Sequence, residues 1–234
     1  MMSRTQLKAA RGPFTEATSG ATDARVNRRS RKVRALYTIG SARWYDLFRR
    51  AWTWLTSRRA EEHFDRLTEA AVFKGSCVLD VGCRTGYNLG RLGRLELPFS
   101  SYLGVDLTPA MLAIARNEFA DEARAEFAEM DLHDLGTTEQ RFDVVLCTWV
   151  VSHLADPRAA FELAYKLLAT GGRALFLVMS EPRRSVRWWF APLARIFRAQ
   201  VVSPAVFDGL PGAVRLTRFT FGLVTLVELT KDQE

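Results

Sequence analysis

The segment Val78-Leu-Asp-Val-Gly82-Cys-Arg-Thr-Gly86-Tyr-Asn-Leu89 joins an apolar run, a turn with two glycines and the start of a helical pattern. This order predicts a buried strand that leads through a tight turn into a helix. Such a turn lets the backbone approach a ligand at the carboxyl end of the strand, where open α/β sheets bind nucleotides. Nicotinamide-binding folds carry GxGxxG there, and Arg84 and Tyr87 replace two of its glycines, so a pyrophosphate site is disfavoured.

Short apolar runs alternate with segments of helical spacing along the following chain. The runs are Cys77–Val81, Tyr102–Val105, Ala125–Met130, Val144–Cys147 and Ala174–Met179. This alternation indicates a parallel sheet covered on both faces. Two further runs, Val214–Phe221 and Leu223–Leu229, flank Gly222 and can pair only as an antiparallel hairpin. We therefore predict a Rossmann-like three-layer α/β sandwich with a seven-stranded, mostly parallel sheet and an antiparallel C-terminal hairpin.

Capping signals predict two helix boundaries. Thr108 precedes Pro109, so we expect a helix that begins at this proline with the threonine as its N-cap. The sequence Thr170-Gly171-Gly172 is expected to end a helix that includes Leu167 and Leu168.

The charge of the chain is unevenly distributed. The 234 residues carry 33 Lys and Arg against 26 Asp and Glu, a formal net charge of +7. Residues 1–60 alone carry +11, so the remainder carries −4. A basic segment on a mildly acidic domain points to an anionic surface, either phospholipid head groups or nucleic acid, although a solvated basic tail is the simpler alternative. The composition excludes a disulfide scaffold and a disordered chain, and no apolar run is long enough to span a bilayer.

The cysteines and histidines point to no metal centre. Cys77, Cys83 and Cys147 form no CxxC pair and lie in or beside apolar runs, which is typical of reduced thiols in a cytoplasmic protein. The three histidines of the chain are far apart in sequence, so no metal-ligand cluster is expected.

Three regions differ in their pattern. Residues 1–30 are poor in aromatic side chains and are expected to form a flexible basic arm. Residues 31–73 hold amphipathic helices that we interpret as a cap, and residues 74–234 form the predicted α/β domain. Within that domain, residues 181–201 form a basic and aromatic insert after the fifth strand.

Acidic residues close the second and third predicted strands. Asp106 can accept hydrogen bonds from both hydroxyls of a ribose, and Asp131 is placed to accept from an adenine amino group. Either acid alone could be an ordinary loop or cap residue. Together with the glycine turn, they favour a site for a nucleoside-containing ligand.

At this point the chain resembles the class I S-adenosylmethionine-dependent methyltransferases over residues 74–180. The matching motifs are Val78 to Gly86, Gly104 to Leu107, Asp131-Leu132, Phe142 to Leu146, and Leu167 to Gly172. The resemblance implies S-adenosylmethionine as the cofactor, with the glycine turn at its methionine part. The implied cofactor-binding residues are Asp80, Gly82, Cys83, Arg84, Gly86, Asp106, Leu107, Met111, Asp131, Leu132 and Thr148.

Arg84 departs from the family pattern, because a glycine ordinarily stands at this position. A large side chain here must point away from the cofactor or contact its carboxylate, which an arginine can do with two hydrogen bonds. If the backbone needs a positive φ, the substitution costs about 1 kcal/mol or more.

The acceptor side carries two candidate catalytic residues. The pair Tyr45-Asp46 resembles an element of quinone C-methyltransferases and bacterial phospholipid N-methyltransferases, which implies that Tyr45 lies over the cofactor entrance. His153 follows the fourth strand and is a candidate general base, although a residue there commonly just packs.

The tryptophans and arginines of the cap and the insert suit a membrane interface, although the tryptophans could equally fill a core. We therefore expect a cytoplasmic enzyme, peripheral to the membrane, that methylates a lipid or small-molecule acceptor such as a phospholipid amine or a prenylated quinone. The alternatives are aminocarboxypropyl transfer to diacylglycerol, methylation of a nucleic acid, and a binding module without catalysis. Nucleic acid is less favoured, because no base-modifying motif follows the fourth strand.

Overall fold

A computed structural model of the protein describes residues 57–154, 156–183 and 201–232. The basic arm, Tyr45, the first amphipathic helix of the expected cap and most of the basic insert lie outside the described residues. In the described part, no helix is long and apolar enough to cross a membrane.

Helices and strands alternate through most of the described chain. The helices are α1 (Arg58–Ala71), α2 (Tyr87–Arg94), α3 (Pro109–Glu118), α4 (Leu132–Leu135) and α5 (Pro157–Leu167). The strands are β1 (Cys77–Val81), β2 (Ser101–Asp106), β3 (Ala125–Glu129), β4 (Phe142–Thr148), β5 (Leu168–Met179), β6 (Ala213–Phe219) and β7 (Val224–Thr230). Each predicted apolar run therefore contributes a strand.

The strands form one sheet in the order β3-β2-β1-β4-β5-β7-β6. Strands β1 to β5 are parallel, and β7 pairs antiparallel with both β5 and β6. The predicted mostly parallel sheet with an antiparallel hairpin at its edge is confirmed. The carboxyl ends of β1, β2, β3 and β4 consequently meet at one edge of the sheet, which we call the carboxyl edge.

Neighbouring residues of β1 serve opposite faces of the sheet. Leu79 packs into a core that includes Phe161 of α5, and Val78 packs into a core that includes Phe64 of α1 and Leu92 of α2. All of these side chains are buried. Because helices cover both faces, the central strands β1 and β4 are buried along almost their whole length, whereas the edge strands β3 and β6 are not.

The predicted end of a helix at Thr170-Gly171-Gly172 was wrong, because these residues belong to a strand. The helix ends at Leu167, and Leu168 already belongs to β5, which runs on through the two glycines. Gly171 donates to the carbonyl of Lys231 and Gly172 accepts from its N–H, both at 3.0 Å. The glycines therefore continue the sheet. A Cβ at Gly172 would lie within 3.1 Å of three backbone oxygens, so this close approach of strands requires a glycine.

The other boundary was predicted correctly. Helix α3 begins at Pro109 with Thr108 as its N-cap residue, but the Thr108 side chain makes no capping hydrogen bond. Instead, the Asp106 carboxylate accepts from the N–H of Thr108 at 2.8 Å.

Candidate cofactor site

In the turn between β1 and α2, every second residue has a left-handed backbone conformation. Gly82, Arg84 and Gly86 have φ angles of 70°, 54° and 85°. Glycine adopts this region freely, but an arginine does so only with strain of roughly 1–2 kcal/mol. The structure therefore realises the strained conformation that the missing family glycine raised as an alternative.

Side chains from neighbouring loops close the space around both glycines. A Cβ at Gly82 would collide with the side chain of Val150, and a Cβ at Gly86 would lie 2.5 Å from the ring of Phe119. The Gly82 N–H donates to the carbonyl of Val105 at 2.8 Å, which fixes the turn against β2.

Asp106 lies at the end of β2 and holds two loops at once. Its Oδ2 accepts from the N–H of Arg84 at 3.0 Å, and its Oδ1 accepts from the N–H of Thr108 at 2.8 Å. Each carboxylate oxygen has two lone-pair positions, so both can still accept a further hydrogen bond from a ligand hydroxyl. The half-buried carboxylate therefore fits the predicted ribose contact.

Asp80 lies beneath the turn and is 0% exposed. Its Oδ2 accepts from the Tyr102 hydroxyl at 2.6 Å, and its Oδ1 accepts from Asn88 Nδ2 at 2.8 Å. Burial raises the pKa of Asp80 to about 6, although both hydrogen bonds and the nearby Arg84 guanidinium favour the charged form. A carboxylate with this pKa is a negative charge held under the site near neutral pH.

Thr148 connects the end of β4 to the same turn. Its buried hydroxyl oxygen accepts from Arg84 Nη2 at 3.2 Å and from Asn88 Nδ2 at 3.3 Å. The Arg84 side chain thus reaches across the carboxyl edge to Thr148. Asp80, Arg84, Asp106 and Thr148 form one cluster of contacts around the two glycines.

The remaining predicted cofactor residues line the same edge. Asp131 follows β3 by two residues and directly precedes α4. The Met130 N–H donates to the Asp106 carbonyl at 3.2 Å, which brings the two acidic strand ends together. Leu132 and Leu107 are partly buried beside them. Met111 is buried in the first turn of α3.

Cys83 and Cys147 are buried free thiols, and Cys77 is a partly buried one. Burial raises the pKa of the Cys83 and Cys147 thiols, so both stay protonated. The Cys83 sulfur lies against Gly104, where a Cβ would come within 2.9 Å of it, and the contact of Cys83 with the cofactor stays a prediction.

His153 ends a short 3-10 helix, Val151–His153, directly after β4. It is partly exposed on the loop that begins at the carboxyl edge, which is compatible with the predicted acceptor side. Among the described residues, no group of three His, Cys, Asp or Glu side chains is arranged to hold a metal ion.

Sequence reasoning missed a buried ion-pair network that joins α1 to this site. Arg91 of α2 donates to Glu61 through Nη2 and to Asp65 through Nε, the latter at 2.6 Å. It also donates to Asn88 Oδ1 at 2.6 Å. The indole N–H of Trp149, the residue after Thr148, donates to Glu61 at 3.2 Å.

Only the spacing of two acids, one helical turn apart on α1, could have suggested this network. Their partners lie about 30 and 90 residues away in sequence, so no local pattern identifies them. The network ties α1 to the end of β4 and, through Asn88, to Asp80.

Comparison with known proteins identifies related chains. The family described as "Methyltransferase domain" matches residues 79–174. A ubiquinone biosynthesis O-methyltransferase of Cereibacter sphaeroides is 33% identical over 121 residues, which cover 51% of this chain and 47% of that protein. A ubiquinone biosynthesis O-methyltransferase of Alkalilimnicola ehrlichii is 26% identical over 137 residues, which cover 58% of this chain and 53% of that protein.

A solved structure shows the same fold. It is the N-methyltransferase NodS from Bradyrhizobium japonicum in complex with S-adenosyl-L-homocysteine, with a TM-score of 0.55 and 18% identity. The superposition covers 73% of this chain and 86% of that one. The chain spans about half the length of the curated relatives it matches.

Proposed function

Because the chain belongs to the class I S-adenosylmethionine-dependent methyltransferases, we propose that it methylates an amphiphilic acceptor, a phospholipid amine or a prenylated quinone, at a membrane surface. The ubiquinone methyltransferases among its relatives favour an acceptor of this type. The basic N-terminal segment and the aromatic insert favour the membrane.

The observation that carries the cofactor assignment is the chemistry of the carboxyl edge. A turn with three left-handed residues follows β1, and acids stand at or just after the ends of β2 and β3. Asp106 retains acceptor positions for ribose hydroxyls, and Asp131, which follows β3, would accept from the adenine amino group. The buried carboxylate of Asp80 supplies the negative charge that suits a methionine ammonium. The residues of the carboxyl edge therefore fit S-adenosylmethionine.

Bound S-adenosylmethionine supplies an activated sulfonium methyl group. The protein then has to align the acceptor and exclude water, and no special catalytic residue is obligatory. The turn from Gly82 to Gly86 and the Asp106 carboxylate orient the cofactor from one side. Trp149 and His153, which follow β4, are the described residues best placed to border the acceptor.

His153 has a role only for acceptors that must lose a proton. A quinol hydroxyl loses its proton on O-methylation, and an imidazole within reach can accept it. A phospholipid amine that is held as an ammonium, for example over the ring of Tyr45, must also lose a proton before its nitrogen can accept the methyl group. His153→Ala should therefore lower kcat for both acceptor classes if His153 is the base, and unchanged kcat would assign the proton to water.

We propose that the insert after β5 covers the acceptor. Its described flanks meet at the carboxyl edge, because Glu181 donates to the carbonyl of Val202 at 3.0 Å and Val202 donates to the carbonyl of Met179 at 2.9 Å. The described residues on either side of residues 184–200 therefore lie beside the end of β5. A basic and aromatic sequence between them suits an amphiphilic acceptor at an anionic membrane surface.

A labelling assay tests the proposal. The protein is incubated with S-adenosylmethionine labelled in the methyl group and, separately, in the carboxyl group, together with total lipid or total RNA. We expect methyl label in lipid. Carboxyl label in lipid would indicate aminocarboxypropyl transfer, and methyl label in RNA would indicate a nucleic-acid methyltransferase.

Calorimetry with S-adenosylhomocysteine tests cofactor binding separately. Asp106→Asn should weaken binding by roughly tenfold, since one acceptor for the ribose is lost at about 1.4 kcal/mol per factor of ten. Asp121→Asn, an exposed acid after α3, serves as the matched control. Equal affinities for both variants would contradict the assignment of Asp106.

A further inference from the structure

We propose that Phe221 inserts into the lipid surface and docks the carboxyl edge of the sheet on the membrane. This inference rests on the proposed membrane-surface function and names the side chain that makes the contact.

Phe221 lies in the turn between β6 and β7. Val224, the first residue of β7, pairs with Met179 at the end of β5, and Phe219 at the end of β6 pairs with Val224. Because β5 is parallel to β4, this turn lies at the carboxyl edge. It is therefore on the same side of the sheet as the cofactor cluster.

The ring of Phe221 is 63% exposed, more than the other large apolar side chains that stand out from the described surface. A lone exposed aromatic residue is ordinary on a protein surface. The backbone that presents it is not ordinary. Thr220, Phe221 and Gly222 follow one another with φ angles of 50°, 56° and 87°.

Three successive left-handed residues are rare, because each non-glycine residue in that region costs roughly 1–2 kcal/mol. Such strain persists only where the surroundings over-determine it, and it concentrates at functional positions. Here no burial of the phenyl ring compensates for the strain. The fold holds an apolar ring in water on a strained turn.

The residues after β5 hold this turn in place. The Arg183 N–H donates to the carbonyl of Phe221 at 2.9 Å, and the Ser180 hydroxyl donates to the carbonyl of Gly222 at 2.6 Å. The Ser180 N–H also donates to the carbonyl of Leu223 at 2.9 Å. These bonds fix the backbone of the turn, so little backbone freedom is lost when the ring inserts.

The charge beside Phe221 favours lipid as the partner. Arg183, which contacts the turn, and Arg218, three residues before Phe221 on β6, are both exposed. Arginines attract anionic head groups, and aromatic rings settle at the boundary between head groups and acyl chains. An exposed apolar ring flanked by two exposed arginines suits an anionic lipid surface better than a polar partner.

Sedimentation of the full chain with vesicles of phosphatidylcholine and phosphatidylserine tests the inference. Phe221→Ala should weaken binding by roughly tenfold or more, which corresponds to burial of one phenyl side chain. Phe73→Ala is the matched control: Phe73 is 57% exposed but precedes β1, at the opposite edge. Vesicle binding by Phe73→Ala should equal that of the wild type.

A second variant distinguishes the loss of a lipid contact from a loss of stability. Phe221→Gly relieves the positive φ, so its melting temperature should rise by roughly 2–4 °C per kcal/mol of relieved strain while vesicle binding falls. Wild-type binding retained by Phe221→Ala overturns this inference and leaves the proposed function intact. If the wild type binds S-adenosylhomocysteine but no vesicles, the proposed membrane surface itself is overturned.

Discussion

The main-chain N–H of Arg84 donates a hydrogen bond of 3.0 Å to the carboxylate of Asp106. This hydrogen bond joins the turn after β1 to the end of β2, and its donor, Arg84, has a φ of 54°. The carboxylate that is expected to bind ribose therefore also stabilises a strained residue in the neighbouring turn. Cofactor binding and local backbone conformation are coupled through one side chain.

This coupling predicts the order of two substitutions at Arg84. Arg84→Gly removes the strain and Arg84→Ala retains it, so the glycine variant should be the more stable by about 1 kcal/mol, despite its larger unfolded-state entropy. Urea unfolding measures the difference. Both variants lose the contact with Thr148, and both should bind S-adenosylhomocysteine more weakly if the guanidinium contacts its carboxylate. An alanine variant as stable as the glycine variant would contradict the assigned strain.

Asp80 should make the free energy of unfolding depend on pH. Burial raises its pKa to about 6, so the folded state holds the proton more tightly than the unfolded state does. The contribution of Asp80 therefore favours folding below about pH 4 and is lost as the pH rises through about 6, a change of up to about 3 kcal/mol. Asp80→Asn can keep both hydrogen bonds, with Asn88 donating to its amide oxygen and Tyr102 accepting from its amide nitrogen.

Urea unfolding of the wild type and Asp80→Asn at several pH values isolates this effect. The stability of the variant relative to the wild type should increase between about pH 4 and pH 7. A constant difference across that range would show that Asp80 has an ordinary pKa. The comparison cancels the titration of the histidines and exposed acids that both proteins share.

Much of the fold followed from the sequence, because its central strands are buried on both faces and read as short apolar runs. The run Cys77–Val81 coincides with β1, and the other runs differ from their strands mainly in length. The assignment failed at Leu168, where Thr170-Gly171-Gly172 has the composition of a helix cap. Its glycines instead let β5 approach the chain after β7, and that contact depends on residues about 60 positions away.

The candidate site could likewise be predicted only in part from the sequence. The acids at strand ends and the glycine turn follow from local order, because parallel strands bring their carboxyl ends together. The left-handed conformation of Arg84 and the pairing of Glu61 with Arg91 and Trp149 depend on packing between distant segments. Neither leaves a periodic signal in the sequence.

The buried network predicts unequal effects for two adjacent glutamates on α1. Glu61→Gln removes the charge opposite Arg91, whose side chain is nearly inaccessible, so we expect a loss of roughly 2 kcal/mol or more. Glu62→Gln breaks only the exposed pair with Arg58 and should change stability by about 0.5 kcal/mol or less. Thermal and urea unfolding of both variants measure the contrast. Similar small effects would mean that Asp65 alone satisfies Arg91.

The glycine turn predicts opposite outcomes for two glycine-to-alanine substitutions near α2. Gly86→Ala places a Cβ 2.5 Å from the Phe119 ring at a φ of 85°, so we expect a loss of roughly 2–4 kcal/mol from strain and overpacking together. Gly93→Ala lies inside the helix with nothing within 4 Å of the added Cβ, and should stabilise the protein by about 0.5–1 kcal/mol. If Gly86→Ala proved harmless, the turn could rearrange without its left-handed residue, and the backbone would not be preorganised for the methionine end of the cofactor.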